Sequence, residues 1–386
     1  MEHRPFLTEL TENQNIIRNT IKEFAEKNIR PVIMEYDEPQ KFPMEIMQQL
    51  GELGFLGILV PEEYGGANLG YVDYAIIIEE ISRVDPSIGL SVAAHNGLCT
   101  NHINRFGNDA QKQKYLPDLA SGRKIGAWGL TESFSGSDAA GLKSIAIKDG
   151  DFWILNGSKQ FTTHGTVGET YVVMAITNKD AGKKGISAFI LEKGMEGLII
   201  GKKENKLGMR ASDTTQLAFE NCKIPIENLC GEEGMGFINS MQILEGGRIS
   251  IAACSIGLAQ GCFDACLKYS KERKQFGKPL ADFQTTQFKL AEMATNIEAA
   301  RTLTYRAAWM KDNGISNTKE AAEAKLFASE IAEKASSEAV QIFGGYGFIK
   351  EYPVEKFYRD VKLLTIGEGT SEIQRIVIAR DLLKEA

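Results

Sequence analysis

Residues 365–380 read TIGEGTSEIQRIVIAR, and within them one carboxylate, Glu368, stands between Gly367 and Gly369 just ahead of an apolar helix. With no Cβ on either side, the backbone gains freedom and another molecule can come close to the carboxylate. A general base needs this, because it must reach hydrogen-bond distance of the proton it removes. Ser371, with Gln374 three residues on, fits the N-cap of the following helix, and Ile373, Ile376 and Val377 are expected to seat that helix on a core. Other stretches carry groups suited to holding a ligand. GLTESFSGSDAAG, residues 129–141, offers the hydroxyls of Thr131, Ser135 and Ser137 beside Gly136. KQFTTHG, residues 159–165, ends a strand with Phe161, whose ring can cover a planar group, followed by Thr162, Thr163 and His164. ERKQFGKPL brings Arg273 to the end of a long helix, and IFGGYGF closes another with Gly344, Gly345 and Gly347. Taken singly, each also fits an ordinary role: a solvated glutamate on a surface turn, a serine-rich loop, a hydrogen-bonded histidine at a strand end.

The elements that must position these groups follow from the period of the apolar residues. The first ~120 residues read as helices: Thr11 and Gln14 form a capping-box pair ahead of Ile17, Ile21 and Phe24, YVDYAIIIEEISRV makes a strong helix stopped by Asp85-Pro86, and another ends near Phe106-Gly107. From about Ile125 the pattern alternates. SIAIKDGDFWILNGSKQFTT is a hairpin turning at Asp149-Gly150, and ETYVVMAIT, GISAFILEK, GLIIGKK and TQLAFENCKI continue as short strands, so a barrel or sandwich is expected. After Gly236 the helical period returns, with one helix of nearly forty residues, a core stripe at Leu290, Met293, Ile297 and Ala300, and a small-residue stripe at Ala324, Ala328, Ala332, Ala335 and Ala339. The expected domains are 1–122, 123–232 and 233–386.

Composition narrows the function classes. Hydrophobic residues at 43% and charged residues at 25% exclude a disordered chain, and a length of 386 residues suits two or three domains. A net charge of −7 without a long Lys/Arg run disfavours nucleic acid as a partner. The six cysteines form no CxxC and the four histidines no HExxH, so no metal site is expected, and Cys262 and Cys266, four apart, read as core thiols. The N-terminal MEHRPFLTELTENQ lacks the marks of a signal or transit peptide, and no run of ~18 uninterrupted apolar residues suggests a membrane span, so a cytoplasmic location is expected.

In this order and at these intervals, EEYGG, the TES..GSD segment, LGMR, YSKERKQFG, QIFGGYG, FYRD and GEGTSEIQR resemble one family over nearly the whole chain. It is the acyl-CoA dehydrogenases, and within them the short- and medium-chain, butyryl-CoA dehydrogenase-like flavoproteins. The resemblance implies an α+β multidomain fold: a helical N-terminal domain, a middle β-barrel or sandwich domain and a C-terminal four-helix bundle. It implies that Trp128, Leu130, Thr131, Gly136 and Ser137 form a flavin-binding strand and loop, Thr131 facing the isoalloxazine ring and Ser137 also lying near the substrate's pantetheine. Phe161, Thr162 and Thr163 match contacts on the ring's other side, Thr163 being the hydroxyl near flavin N5. Arg273, Phe276 and Gln284, together with Gln341, Ile342, Phe343, Gly344 and Gly345, match positions that hold the FAD diphosphate and adenosine, partly across a subunit boundary. Thr370, Ser371 and Glu372 complete the set, so FAD should bind well only to an oligomer, a homotetramer built as a dimer of dimers.

For the substrate, Glu245, Gly246, Gly247, Arg248 and Gly369 match contact positions, with an ion pair as the ordinary alternative for Glu245 and Arg248. Some relatives carry the base at the position of Gly247, which has no carboxylate here, so Glu368 is the base the resemblance assigns. Gly246 and Gly247 are expected to leave room for the acyl chain. Two positions depart from the family pattern, Ser133 where most relatives have Pro and Phe161 where most have Trp, although Phe still offers a ring face. The implied reaction is removal of the Cα proton of an acyl-CoA by Glu368 and passage of the Cβ hydride to flavin N5, with electrons then given to electron-transfer flavoprotein. An oxygen-using oxidase and a DNA-associated flavoprotein on the same scaffold are the rival readings.

Overall fold

The structure is a computed structural model and describes residues 9–384; His3 and the segment MEHRPFLT, on which part of the signal-peptide reading rests, lie outside the described residues. Among the described residues, seven α-helices come first: α1 (Glu12–Phe24), α2 (Ile33–Asp37), α3 (Met44–Glu52), α4 (Tyr71–Ser82), α5 (Pro86–Ala94), α6 (Asn101–Phe106) and α7 (Asp109–Ala120). The Thr11 capping box is present, with Gln14 N donating to Thr11 Oγ1 at 3.2 Å and Thr11 N to Gln14 Oε1 at 3.0 Å. Asp85-Pro86 starts a helix as well as following one: the Asp85 carboxylate accepts from Ser87 N at 2.7 Å and Ile88 N at 3.2 Å, and Pro86 fills the first helical position.

Eight strands follow: β1 (Gly126–Gly129), β2 (Ile145–Asp149), β3 (Phe152–Thr163), β4 (Thr170–Ile176), β5 (Ile186–Glu192), β6 (Leu198–Lys203), β7 (Thr214–Pro225) and β8 (Leu229–Cys230). Their order is β6-β7-β3-β2-β4-β5-β8, with β1 added parallel to β4. The sheet curls on itself. Trp153 of β3 and Phe189 of β5 have ring centroids 5.4 Å apart, whereas two intervening strands in a flat sheet would hold them about 14 Å apart. Among the described residues no ladder joins β6 to β8, so the result is a folded-over sheet, sandwich-like rather than a closed barrel. β4 is buried on both faces, Tyr171, Val173 and Ala175 entering the core between the sheet halves and Val172 and Met174 packing towards α6 and α7.

The C-terminal region comprises α8 (Gly236–Glu272), α9 (Gln284–Asp312), α10 (Thr318–Phe343), α11 (Val354–Asp360) and α12 (Ser371–Leu382). α8, α9 and α10 pack on one another, α12 packs on α10, and α4 from the N-terminal region packs on α8 and α9. The alanine stripe of α10 is buried throughout and brings that helix close to α8. By length and composition alone α8 could cross a membrane, but 78% of its most apolar window is buried inside the protein, as befits a core helix. The regions are tied together by buried charge. Lys356 Nζ binds Asp360 Oδ2 at 2.6 Å and Asp85 Oδ1 at 3.2 Å, and Asp360 Oδ1 accepts from Met209 N at 2.6 Å in the LGMR loop.

Where α8 crosses α4, a Cβ on Gly257 would sit 2.2 Å from Glu79 O and 2.9 Å from Arg83 N, both backbone atoms. Gly257→Ala is therefore expected to lower stability by about 1–3 kcal/mol through overpacking. The urea midpoint reads this directly, and an unchanged midpoint would contradict so close a crossing.

Candidate active site

After a tight helical turn at 361–365, Ile366 N and Gly367 N close back on Leu363 O at 2.9 and 2.8 Å, and the chain then enters the left-handed region at Glu368 (φ 53°) and Gly369 (φ 96°). A glutamate in that region carries strain of about 1 kcal/mol or more, which persists only where the surroundings hold it. They hold it at the Gly369 carbonyl, which accepts from Lys325 Nζ at 2.6 Å and Gln374 Nε2 at 2.9 Å. Of the two flanking glycines only Gly369 is demanded by the fold, since its φ is positive and a Cβ would meet Gln374 Nε2 at 2.7 Å; at Gly367 a Cβ would find ordinary contact with Leu363. Thr370, not Ser371, caps α12: the chain leaves the left-handed turn extended at Thr370, whose Oγ1 accepts from Ile373 N at 3.4 Å. Of the apolar residues expected to seat α12, Ile373 and Val377 are only half-buried. Ser371 and Gln374 face inward, while Ile376 is 43% exposed.

The Glu368 side chain turns inward over α8. Its Oε2 is buried without a hydrogen-bond partner, and no hydrogen bond leaves its backbone N–H among the described residues. A Cβ on Gly247 would lie 1.7 Å from that oxygen, and one on Gly246 would lie 2.8 Å from the Tyr71 ring. The two glycines expected to leave room thus admit Glu368 and Tyr71. Burial pushes the Glu368 carboxyl up to about 7, against the pull of the two cations facing it, Lys325 and Arg248. Burial likewise draws the Lys325 ammonium down to about 8. Arg248 is 8% exposed, and its Nε and Nη1 have no hydrogen-bond partner. Glu245 points away, accepting from Thr318 Oγ1 at 2.8 Å with Lys311 Nζ at 3.8 Å.

A second set of groups gathers at the sheet. Gln160 N donates to Thr131 O at 2.8 Å, and the buried Glu132 pairs with Lys159 Nζ at 2.6 Å while accepting from Lys143 N and Ser144 N. These bonds fix the 129–141 loop against β3. Ser135 is used by the loop itself, donating to Asp138 O at 2.6 Å, whereas Gly136 and Ser137 stay exposed. The β3–β7 register shifts between Lys159 and Thr162, and in that irregularity Phe161 takes φ 54° and is 66% exposed. Thr162 Oγ1 is buried without a partner and Thr163 is half-buried. An outward aromatic face beside an unsatisfied hydroxyl can receive a flat, polar ring system. His164 is structural: its Nδ1 contacts Gly126 O at 3.0 Å and its ring meets Phe42 edge-on. Leu130 is buried, and Trp128 donates to His102 Nδ1 at 3.2 Å and packs with Ile243 and Leu244 of α8, one turn before Gly247. The loop set and the Glu368 seat are therefore neighbours.

A third set lies elsewhere. A cleft of about 520 Å³ is lined by Arg273, Leu280, Ile342, Phe343, Gly344 and Gly345, among others, and the Arg273 guanidinium lies 5.3 Å over the Tyr346 ring. Gly344 and Gly345 have open space where a Cβ would be. Gln284, Gln341, Glu372 and Phe276 are exposed and do not line the cleft. Gly247 and Arg273 lie towards opposite ends of α8, about 39 Å apart at the helical rise, so one chain does not bring this cleft to Glu368. Nothing in the sequence pattern marks Lys325; its one signal is a charge inside an alanine stripe, between Ala324 and Ala328.

Comparison with known proteins adds three family-model matches: Acyl-CoA dehydrogenase, N-terminal domain, over residues 11–123; middle domain, over 127–222; and C-terminal domain, over 234–383. The chain is 47% identical over 375 residues to the short-chain specific acyl-CoA dehydrogenase of Clostridium acetobutylicum, covering 97% of this chain and 99% of that protein. Its structure is similar to that of butyryl-CoA dehydrogenase from Megasphaera elsdenii, with TM-score 0.96, 43% identity and coverage of 98% of this chain and 100% of that one. It is also similar to a chain in a structure of the electron transferring flavoprotein of Acidaminococcus fermentans, with TM-score 0.97, 47% identity and coverage of 98% and 100%.

Proposed function

Because this chain belongs to the acyl-CoA dehydrogenase family of flavin-dependent oxidoreductases, we propose that it dehydrogenates a short-chain acyl-CoA between Cα and Cβ, with Glu368 as the base. One observation carries the assignment: a buried, unpartnered carboxylate oxygen held over Gly247, its pKa pushed up to about 7. A solvated carboxylate is too weak a base for a thioester's Cα proton. Burial makes Glu368 a stronger one and brings its pKa to the pH at which it works. The Glu368 N–H, which has no acceptor among the described residues, can donate to the thioester carbonyl and stabilise the negative charge that develops there. Arg248 and Lys325 add positive potential around the carboxylate.

The sheet residues fit FAD, since Phe161 presents a ring face, Thr162 a hydroxyl without a protein partner, and Thr131 is held beside them. Bound there, FAD would supply the acceptor for the Cβ hydride. The cleft at Arg273, Gly344 and Gly345, too distant from Glu368 of the same chain, serves the cofactor of a neighbouring subunit, and a homotetramer is the assembly we assign. The similarity to a chain of the Acidaminococcus structure supports an electron-transfer flavoprotein as the electron acceptor.

The test is an anaerobic titration of the yellow holoprotein with butyryl-, hexanoyl- and octanoyl-CoA. The shortest chain should bleach the flavin most readily, and failure of all three would overturn the reading. The pH profile adds a second check. Glu368 must be ionised to act, so kcat/KM should fall as pH drops through about 7 and be about tenfold below its plateau one unit lower. A flat profile down to the ordinary carboxylate range would mean that the working base is not this buried group.

A further inference from the structure

We propose that Lys325 is a positioning residue for this reaction: its ammonium clamps the Gly369 carbonyl so that Glu368 stays over Gly247, and its charge favours the ionised base. The proposal rests on the reading of Glu368 as that base. Lys325 is completely buried in α10. A buried ammonium is normally paired with a carboxylate, because taking the charge out of water costs several kcal/mol if nothing compensates it. Here no carboxylate lies within ion-pair distance among the described residues, and the hydrogen bond at 2.6 Å goes to a backbone carbonyl instead. That carbonyl belongs to the residue following the proposed base, in a turn whose two left-handed residues need outside support. Lys325 supplies it from α10 and Gln374 from α12, so two elements converge on one oxygen.

The charges around the carboxylate identify the second role. Glu368 faces Lys325 from α10, Arg248 and Cys254 from α8, and Tyr74 from α4. Lys325 in turn faces Arg248, Glu330 and Glu372, while Arg248 also feels Glu245. Among the described residues, Lys325 and Arg248 are the cations that favour ionised Glu368, and of the two only Lys325 is bonded to its turn. Holding the backbone and supplying the charge are separable, because a neutral donor could do the first but not the second.

Three holoenzyme variants separate them: Lys325→Met, Lys325→Gln and Lys325→Arg. The readouts are the acid limb of kcat/KM and hydrogen exchange, by mass spectrometry, in peptides covering 366–372. Removing the charge should move the acid limb upward by about one pH unit in both the Met and Gln variants. Exchange should quicken in the Met variant, stay near parental in the Gln variant, and the Arg variant should restore both readouts. If the limb stays at the parental pH while turnover falls equally at every pH, Lys325 is merely structural and the proposal is overturned. Should the Met variant fail to fold, the Gln and Arg variants still decide the limb. Glu368→Gln run alongside keeps the two ideas apart: parental turnover in it removes the base assignment, while exchange in 366–372 reads the clamp without reference to catalysis.

Discussion

Glu368→Gln is expected to abolish turnover, by about 10³-fold or more, while leaving the fold and the flavin colour intact. The amide has nearly the shape of the carboxylate, and Oε2 makes no hydrogen bond, so the substitution breaks no bond at that atom. What it removes is the ability to take a proton. Stability should move the other way. The folded-state pKa of Glu368 is raised to about 7, so between the ordinary carboxylate value and 7 the folded protein holds a proton that the unfolded chain has lost, and stability declines as pH rises through that window. Glutamine escapes this loss. At pH 8 the variant should be more stable than the parent by up to about 3 kcal/mol, with the difference gone in acid below the ordinary carboxylate range. Anaerobic single-turnover rates and urea midpoints at two pH values measure both effects. Bleaching at the parental rate would end the assignment of Glu368 as the base.

The features legible in the sequence are those set by neighbours along the chain. The Thr11–Gln14 box, the hairpin at Asp149-Gly150 and the 37-residue α8 each depend on residues within one element or one turn. Segments rich in glycine and hydroxyls marked candidate ligand contacts, and the structure brings Thr131 and Phe161–Thr163 together through β3. What escaped the sequence depends on contacts between distant elements. The choice between a barrel and a sandwich is made only where Trp153 meets Phe189 and no ladder joins β6 to β8 among the described residues. The cap of α12 falls on Thr370 because a left-handed turn ends there, and that turn is held by Lys325 on another helix. Gly246 and Gly247 looked like vacant space because a sequence does not reveal which side chain fills a missing Cβ; Tyr71 and Glu368 do. A lysine within an alanine stripe reads as a helical surface charge until its partner is known.

Gly247→Ala should separate the placement of the base from the packing of the helix that supports it. The new Cβ would lie 1.7 Å from Glu368 Oε2 and 2.9 Å from its Cδ, atoms at the free end of a side chain, so the carboxylate yields and α8 does not. At Gly257 on the same helix the obstacle is backbone, which cannot yield. Alanine is also the better helix former by about 1 kcal/mol, so the urea midpoint of Gly247→Ala should stay level or rise. Catalysis has no such tolerance. With the Gly369 carbonyl still held by Lys325 and Gln374, the side chain must swing off α8, and a displacement of about 1 Å in a reacting group can cost about 10²-fold. The expected result is a loss of about 10²-fold or more in kcat/KM with stability preserved. The acid limb should also move down towards the ordinary carboxylate range, because a carboxylate pushed out of its seat regains water. Parental activity in this variant would mean that the working carboxylate does not rest over Gly247, and the geometric case for its raised pKa would fall with it.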